Sequence, residues 1–92
     1  MTIPKSLKDL EMLSPEEIRE LDKGATRADF PKEIKAEVRN PNHPEDPRTL
    51  EVNVLFTSYV SDGIRYGKYR TPYGGTITRS FTEALRAKYT NG

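Results

Sequence analysis

The sequence predicts an α+β fold, with helices near the N-terminus, an antiparallel sheet of about four strands, and a C-terminal helix packed on one face of the sheet. Three observations lead to this fold class. Capping signals for helices occur at Ser14 and Ser80, apolar and polar residues alternate between positions 33 and 70, and Asp62-Gly63 favours a hairpin turn. The 92 residues fit a single domain, which we expect to span positions 1–92.

Two helices are predicted in the first 24 residues. Ser6 is a suitable N-cap for a short first helix. Ser14-Pro15-Glu16-Glu17 begins the second helix with a capping box, in which the serine and the last glutamate each bond to the other's backbone N–H. Gly24 is expected to end this helix in the left-handed conformation. The apolar residues at helical spacing are Leu7, Leu10, Leu13, Ile18 and Leu21.

The segment Glu33–Arg39 alternates strictly between charged and apolar residues, which predicts a half-buried strand. Its apolar face carries Ile34, Ala36 and Val38. Residues 40–47 contain three prolines. Because proline has no backbone N–H and a fixed φ, we expect an irregular exposed loop there.

Arg48–Val60 is the longest predicted strand. Its alternating apolar residues are expected to form the core face. These predicted core residues are Leu50, Val52, Val54 and Phe56. Leu55 and Tyr59 are expected on the opposite face, part of which would then also be covered.

The rest of the sheet is predicted as a hairpin and a short fourth strand. Ser61-Asp62-Gly63 supplies the turn, and Ile64–Arg70 is the returning strand. Thr71–Gly75 forms a second turn before a short strand at residues 76–78. Ser80-Phe81-Thr82-Glu83 is a second capping box that begins the last helix. The expected inner residues of that helix are Phe81, Ala84, Leu85 and Tyr89, and Asn91-Gly92 is expected to end it.

Composition and motifs argue against catalysis. The chain has no cysteine, which excludes disulfides, thiolate zinc sites and cysteine nucleophiles and favours a reducing cytoplasm. His43 is the only histidine, so a metal site would lack further nitrogen ligands. No phosphate-cradling glycine loop, nucleophile elbow or HExxH motif occurs, and no apolar run approaches the roughly 20 residues that cross a bilayer. We predict a non-enzymatic protein without cofactor, metal, small-molecule substrate or membrane contact.

The charges are distributed unevenly along the chain. Positions 1–60 carry nine basic and twelve acidic side chains, a net charge of −3, whereas positions 61–92 carry six basic and two acidic ones, a net charge of +4. Five of the eight aromatic residues also lie in this last third. Because cations neutralise phosphates and tyrosine rings stack on unpaired bases, the C-terminal third is the candidate binding region.

Eight residues of this region are the candidates for contact with a partner or with nucleic acid. They are Arg65, Tyr66, Lys68, Tyr69, Arg70, Tyr73, Arg79 and Arg86. In a strand over Ile64–Arg70, the odd-numbered residues lie on one face and the even-numbered residues on the other. Gly67 would allow close approach of another backbone. A solvated sheet edge explains the same residue types, because tyrosine is common in strands and lysine and arginine are common at edges. Both interpretations stay open.

Residues 48–89 resemble the DNA-binding modules of phage integrases, which consist of a three-stranded sheet and a helix. The resemblance lies in the order of the strands and in Ser80–Ala84 at the start of the helix. In those modules the sheet enters the major groove. The resemblance implies a stand-alone DNA- or RNA-binding accessory protein of a phage or mobile element, which is the alternative function.

The chain as a whole resembles the small phage-encoded anti-CRISPR proteins of the type I-F class. The shared features are its length, the lack of cysteine, the capped helix at Ser14–Glu17 and the basic, tyrosine-rich hairpin Tyr66–Tyr73. The resemblance implies an inhibitor in the host bacterial cytoplasm that binds a crRNA-guided surveillance complex and blocks target DNA hybridisation or docking. Its partners would be Cas subunits, and contact with the crRNA stays open.

On this resemblance, carboxylates of the acidic half would face the cationic channel that holds nucleic acid in such complexes. These carboxylates belong to Asp9, Glu11, Glu16, Glu17, Glu20 and Asp22. Complementary charge mainly raises the association rate, whereas a few aromatic or arginine anchors supply affinity. The expected anchors are Arg65, Tyr66, Tyr69 and Arg70.

Overall fold

The computed structural model describes residues 3–91 and confirms the predicted α+β fold. The elements in chain order are α1 (Leu7–Glu11), α2 (Pro15–Gly24), a 3₁₀ turn (Arg27–Asp29), β1 (Glu33–Arg39), β2 (Arg48–Ser61), β3 (Ile64–Arg70), β4 (Thr76–Ser80) and α3 (Phe81–Asn91). The four strands form one curled antiparallel sheet in the order β1-β2-β3-β4. Among the helices of the described residues, none is long and apolar enough to cross a membrane.

Both predicted capping boxes are present. At the start of α2, the Ser14 hydroxyl accepts from the Glu17 N–H at 3.2 Å, and the Glu17 carboxylate accepts from the Ser14 N–H at 3.0 Å. At the start of α3, the Glu83 carboxylate accepts from the Ser80 N–H at 2.8 Å, and the Ser80 hydroxyl accepts from the Glu83 N–H at 3.4 Å. These bonds satisfy backbone donors that a helix N-terminus otherwise leaves free.

The predicted ends of α2 and α3 are not confirmed. The expected left-handed C-cap at Gly24 is wrong, because Gly24 has no positive φ and belongs to α2. The helix ends instead where Ala25 takes an extended conformation. The predicted end of α3 at Gly92 lies outside the described residues. The β2–β3 turn is confirmed, since Asp62 and Gly63 have φ values of 52° and 79°.

The helices cover one face of the sheet, which we call the inner face, and the opposite face is the outer face. Apolar residues from the helices, the connecting segment and the inner face form the core. They are Leu10, Leu21, Ala25, Phe30, Ile34, Tyr69, Phe81, Ala84 and Leu85. The Phe30 and Phe81 rings meet with centroids 5.4 Å apart in a tilted geometry, which is a favourable arrangement for aromatic pairs.

The predicted core face of β2 is wrong. The residues expected in the core, Leu50, Val52, Val54 and Phe56, lie on the outer face and expose 52%, 44%, 49% and 42% of their surface. Alternation identifies the two faces of a strand, but the pairing register decides which face the helices cover. In the β1–β2 register, buried Ile34 pairs with Asn53, so Asn53 and its alternating neighbours lie on the inner face.

The predicted position of Tyr59 is also wrong, and a β-bulge is the reason. Leu55 packs against the core as expected for the face opposite Val54. The register with β3 then shifts between Leu55 and Thr57, which inserts one unpaired residue into β2. Because of this insertion, Tyr59 lies on the same outer face as Val54.

Candidate binding surface on the outer face of the sheet

The centre of the outer face is apolar. It consists of five side chains of β2, here called the apolar stripe, and these are Leu50, Val52, Val54, Phe56 and Tyr59. β2 lies between β1 and β3 in the sheet, so the stripe follows the middle of the face and not its edge. A contiguous exposed apolar patch of this kind is typical of a surface that binds another molecule.

Charged residues of β1 border one side of the apolar stripe. Glu33 pairs with Val54, Lys35 with Val52 and Glu37 with Leu50, whereas Arg39 pairs with Arg48 beyond the end of the stripe. The outward-facing residues of β1 are Glu33, Lys35, Glu37 and Arg39, and all four are exposed. This border therefore carries alternating charge and no net charge of its own.

Cationic and aromatic residues of β3 border the other side. The Arg70 guanidinium lies 4.7 Å from the centroid of the Phe56 ring, and the Lys68 ammonium lies 5.8 Å from the centroid of the Tyr59 ring. Tyr66 stacks on Tyr59 with ring centroids 5.6 Å apart. Cation–π contacts of this geometry hold the two charges over the aromatic end of the stripe.

Three of the eight predicted site residues, Tyr66, Lys68 and Arg70, therefore lie together on the outer face. The predicted separation of odd-numbered and even-numbered residues in β3 is confirmed, because Tyr69 is buried on the inner face while Arg70 is exposed.

The prediction of Tyr69 as a contact residue is wrong. Its side chain is fully buried, and its hydroxyl donates to the backbone carbonyl of Pro31 at 2.8 Å. Burial raises the pKa of the Tyr69 hydroxyl well above its usual value, so the group stays neutral. Arg65 lies on the same inner face, where its guanidinium donates to the carbonyl of Ala25 and to the hydroxyl of Ser58, each at 3.1 Å. Both side chains stabilise the fold.

Gly67 also has an internal role and not the expected one of admitting a partner's backbone. A Cβ atom at this position would lie 2.8 Å from the Phe30 ring and 3.1 Å from Leu55. The space that glycine leaves over β3 is thus filled by the core itself.

The remaining predicted residues lie away from the apolar stripe. The Tyr73 hydroxyl donates to the Glu51 carboxylate at 2.8 Å and accepts from the Asn40 amide at 2.7 Å. Its hydrogen bond to Glu51 raises the pKa of Tyr73, and hydrogen bonds from Thr49 and Tyr73 lower the pKa of Glu51. Arg79 lies in β4 and donates to a neighbouring carbonyl, while Arg86 is exposed on α3. The eight predicted residues therefore do not form one surface.

One of the six carboxylates expected to face a partner is unavailable. Asp22 is buried, and its carboxylate accepts from the backbone N–H of Thr82 at 2.8 Å and from the Thr82 hydroxyl at 3.2 Å. Burial raises its pKa, although these hydrogen bonds partly oppose the shift. Asp22 thus connects α2 to the start of α3, and the other five carboxylates are exposed on α1 and α2.

Within residues 3–91, no group of three or more histidine, aspartate and glutamate side chains is arranged to hold a metal ion. His43 lies exposed in the loop between β1 and β2.

The apolar stripe could not be recognised as a surface from the sequence, because Leu50, Val52, Val54 and Phe56 form the alternating series expected in a core and Tyr59 is expected on the opposite face. No residue within β2 signals the inversion, since an alternating Leu-Val-Val-Phe series ordinarily faces inward. The informative pair is Ile34 and Asn53, which identifies the covered face only once the β1–β2 register is known.

The fold and this surface define a small α+β protein with helices on one side of its sheet and an apolar, cation-bordered face on the other. Comparison of the chain with family models, with curated proteins and with solved structures finds no match.

Proposed function

We propose that this chain is a non-catalytic binding protein that docks through the outer face of its sheet on a complementary protein surface. The observation that carries the proposal is the apolar stripe, five exposed apolar side chains in the middle of a sheet that no helix of residues 3–91 covers. Exposed singly, such side chains are ordinary, but a contiguous set bordered by charges is typical of an interface.

The borders of the stripe define the chemistry of the partner. Lys68 and Arg70 favour carboxylates on the side of the partner that meets β3. The β1 border alternates in sign and favours neither charge, so the expected partner surface is apolar at its centre and acidic along one side. Phe56, Tyr59 and Tyr66 are the anchors that this surface offers, because large aromatic side chains dominate the affinity of interfaces.

The resemblance to type I-F anti-CRISPR proteins extends the proposal to a particular partner. The chain would then bind Cas subunits of a crRNA-guided surveillance complex in the bacterial cytoplasm and prevent target DNA from hybridising or docking. The exposed carboxylates of α1 and α2 lie on other elements than the apolar stripe, and they would remain available to cationic Cas surfaces.

The test measures binding of the chain to a purified type I-F surveillance complex by biolayer interferometry, together with inhibition of target DNA hybridisation. Val52→Glu places a carboxylate in the stripe and opposite Lys35, its cross-strand partner, so the fold is retained. Met12→Glu is the matched control, because Met12 is exposed at the end of α1. We expect Val52→Glu to weaken binding at least about tenfold and Met12→Glu to leave it unchanged.

Three outcomes would contradict the proposal. Absence of binding by the unmodified chain would exclude this partner, and equal binding by both variants would exclude the outer face. Tight binding of free DNA or RNA that Val52→Glu abolishes would instead support the stand-alone nucleic-acid-binding function.

A further inference from the structure

We propose that a second site, a cleft at the end of the sheet away from the β2–β3 turn, binds phosphate groups. The cleft has a volume of about 520 Å³ and is lined from β1, the loop after it, the start of β2, the turn after β3, and β4. Three arginines line it, and they are Arg39, Arg48 and Arg79. None of the five residues of the apolar stripe lines this cleft, although Glu37 and Arg39 of the β1 border do, and the proposal does not rest on the function proposed above.

Two of the arginines are held side by side by the sheet. Arg39 and Arg48 are direct partners in the β1–β2 register, which places their Cβ atoms about 5 Å apart. The loop between them is closed by a backbone hydrogen bond from Asn40 to Pro47 at 2.6 Å, so the pair cannot separate without opening the loop. Like charges at directly opposed positions destabilise a sheet unless a counter-charge binds them.

That counter-charge is not supplied by the described part of the chain. Within residues 3–91, the guanidinium groups of Arg39 and Arg48 have no hydrogen-bond or ion-pair partner, and that of Arg79 donates only to the carbonyl of the preceding residue. Glu37 is the single carboxylate among the lining residues. Three guanidinium groups against one carboxylate leave a net positive cleft, which favours an anionic ligand.

The opposite wall of the cleft is fixed and polar. In the turn after β3, the Thr71 hydroxyl accepts from the backbone N–H groups of Tyr73 and Gly75, each at 3.2 Å. The Tyr73 hydroxyl is tied to Asn40 and to Glu51. The carboxylate of Glu51 is engaged in these bonds and does not line the cleft, so it does not neutralise the arginines.

Phosphate is the anion that fits this arrangement best. Guanidinium groups bind phosphate oxygens in bidentate pairs, and several arginines around one cleft can hold either one phosphate group or successive phosphates of a strand. A phosphodiester strand and free phosphate share this chemistry, and the experiment below separates the two sources.

The test uses fluorescence anisotropy of a labelled eight-residue oligouridylate at several salt concentrations, with unlabelled pyrophosphate as competitor. The test variant is Arg39→Gln/Arg48→Gln. The control is Arg19→Gln/Lys23→Gln, which removes the same charge from exposed positions of α2. For three contacts, log K should fall with log salt at a slope of about −2, and the test variant should bind at least about tenfold more weakly with a slope near −0.7. The control should behave like the unmodified chain.

Displacement of the oligonucleotide by pyrophosphate would identify a site for free phosphate groups, and resistance to displacement would identify a site for a strand. Pyrophosphate binding alone, measured by calorimetry and lost in the test variant, would also support the site. Absence of both ligands from the unmodified chain would overturn the proposal, as would equal losses in the test and control variants. Because neither probe contains a protein partner, failure here leaves the outer-face proposal standing.

Discussion

The two faces of β2 have the opposite polarity from that of an ordinary half-buried strand. The covered inner face carries Thr49, Glu51, Asn53 and Leu55, whereas the exposed outer face carries Leu50, Val52, Val54 and Phe56. A sheet with one solvated face usually has its apolar residues inside and its polar residues outside. The composition of β2 is therefore not explained by the stability of the isolated chain, and it agrees with the binding role proposed for the outer face.

The inner face tolerates its polar residues because they bond to one another. The Glu51 carboxylate accepts from Thr49 at 2.7 Å and from Tyr73 at 2.8 Å, and the Asn53 amide donates to the Glu51 carbonyl at 3.0 Å. The exception in the described residues is the Asn53 side-chain oxygen, which is buried without a hydrogen-bond partner. Burial of an unsatisfied polar atom lowers stability.

The largest expected effect tests the difference between the faces directly. Ile34→Ala removes buried apolar volume from the inner face and should lower the free energy of unfolding by about 2–5 kcal/mol. Val54→Thr introduces a side chain of the same shape on the outer face and should change the free energy of unfolding by less than about 0.5 kcal/mol. Urea unfolding followed by circular dichroism measures both free energies. If Ile34→Ala does not fold, Ile34→Val replaces it, with an expected loss of about 0.5–1.5 kcal/mol. Similar losses for Ile34→Val and Val54→Thr would show that both faces are covered.

A smaller loss of stability is expected from a substitution at Gly67, where the Phe30 ring fills the space over β3. Gly67→Ala places a methyl group against the Phe30 ring, and the resulting overpacking should cost about 1–3 kcal/mol. Gly75→Ala is the control, because a Cβ there would meet nothing closer than 3.7 Å. If Gly67→Ala has the stability of the unmodified chain, the Phe30 ring is not held against the strand.

The smallest effect should be a gain in stability. Asn53→Val removes the unsatisfied buried oxygen and introduces a good strand former, so we expect the free energy of unfolding to rise by about 0.5–1.5 kcal/mol. Asn53→Asp, which buries a charge at the same place, should lower it. A loss of stability in Asn53→Val would contradict this prediction and show that the hydrogen bond from the Asn53 amide to the Glu51 carbonyl outweighs the unsatisfied oxygen.

The starts of the helices and the hairpin turn could be predicted from local signals in the sequence. The capping boxes at Ser14 and Ser80 involve residues three positions apart, and the turn at Asp62-Gly63 needs only a positive φ. Each of these signals acts within one element, so each could be predicted without knowledge of the tertiary structure.

Which face of the sheet the helices cover could not be predicted from local signals. The β1–β2 register depends on the loop Asn40–Pro47, whose geometry alternation does not specify, and it determines that Asn53 faces the helices. The bulge between Leu55 and Thr57 leaves no distinctive residue in the sequence. The candidate site was therefore predicted only in part: Tyr66, Lys68 and Arg70 share a surface, but four residues of the apolar stripe beside them were predicted in the core and Tyr59 on the opposite face.

The bulge also determines how β2 would respond to a change in its length. Deletion of Phe56 would leave the face of every paired residue unchanged, because Thr57 already follows Leu55 in the register with β3 and Tyr59 would still lie opposite Tyr66. The stack of Tyr59 on Tyr66 would be kept, whereas the aromatic ring beneath the Arg70 guanidinium would be lost. A single codon at this position thus adds one aromatic ring to the outer face without turning the residues on either side of it.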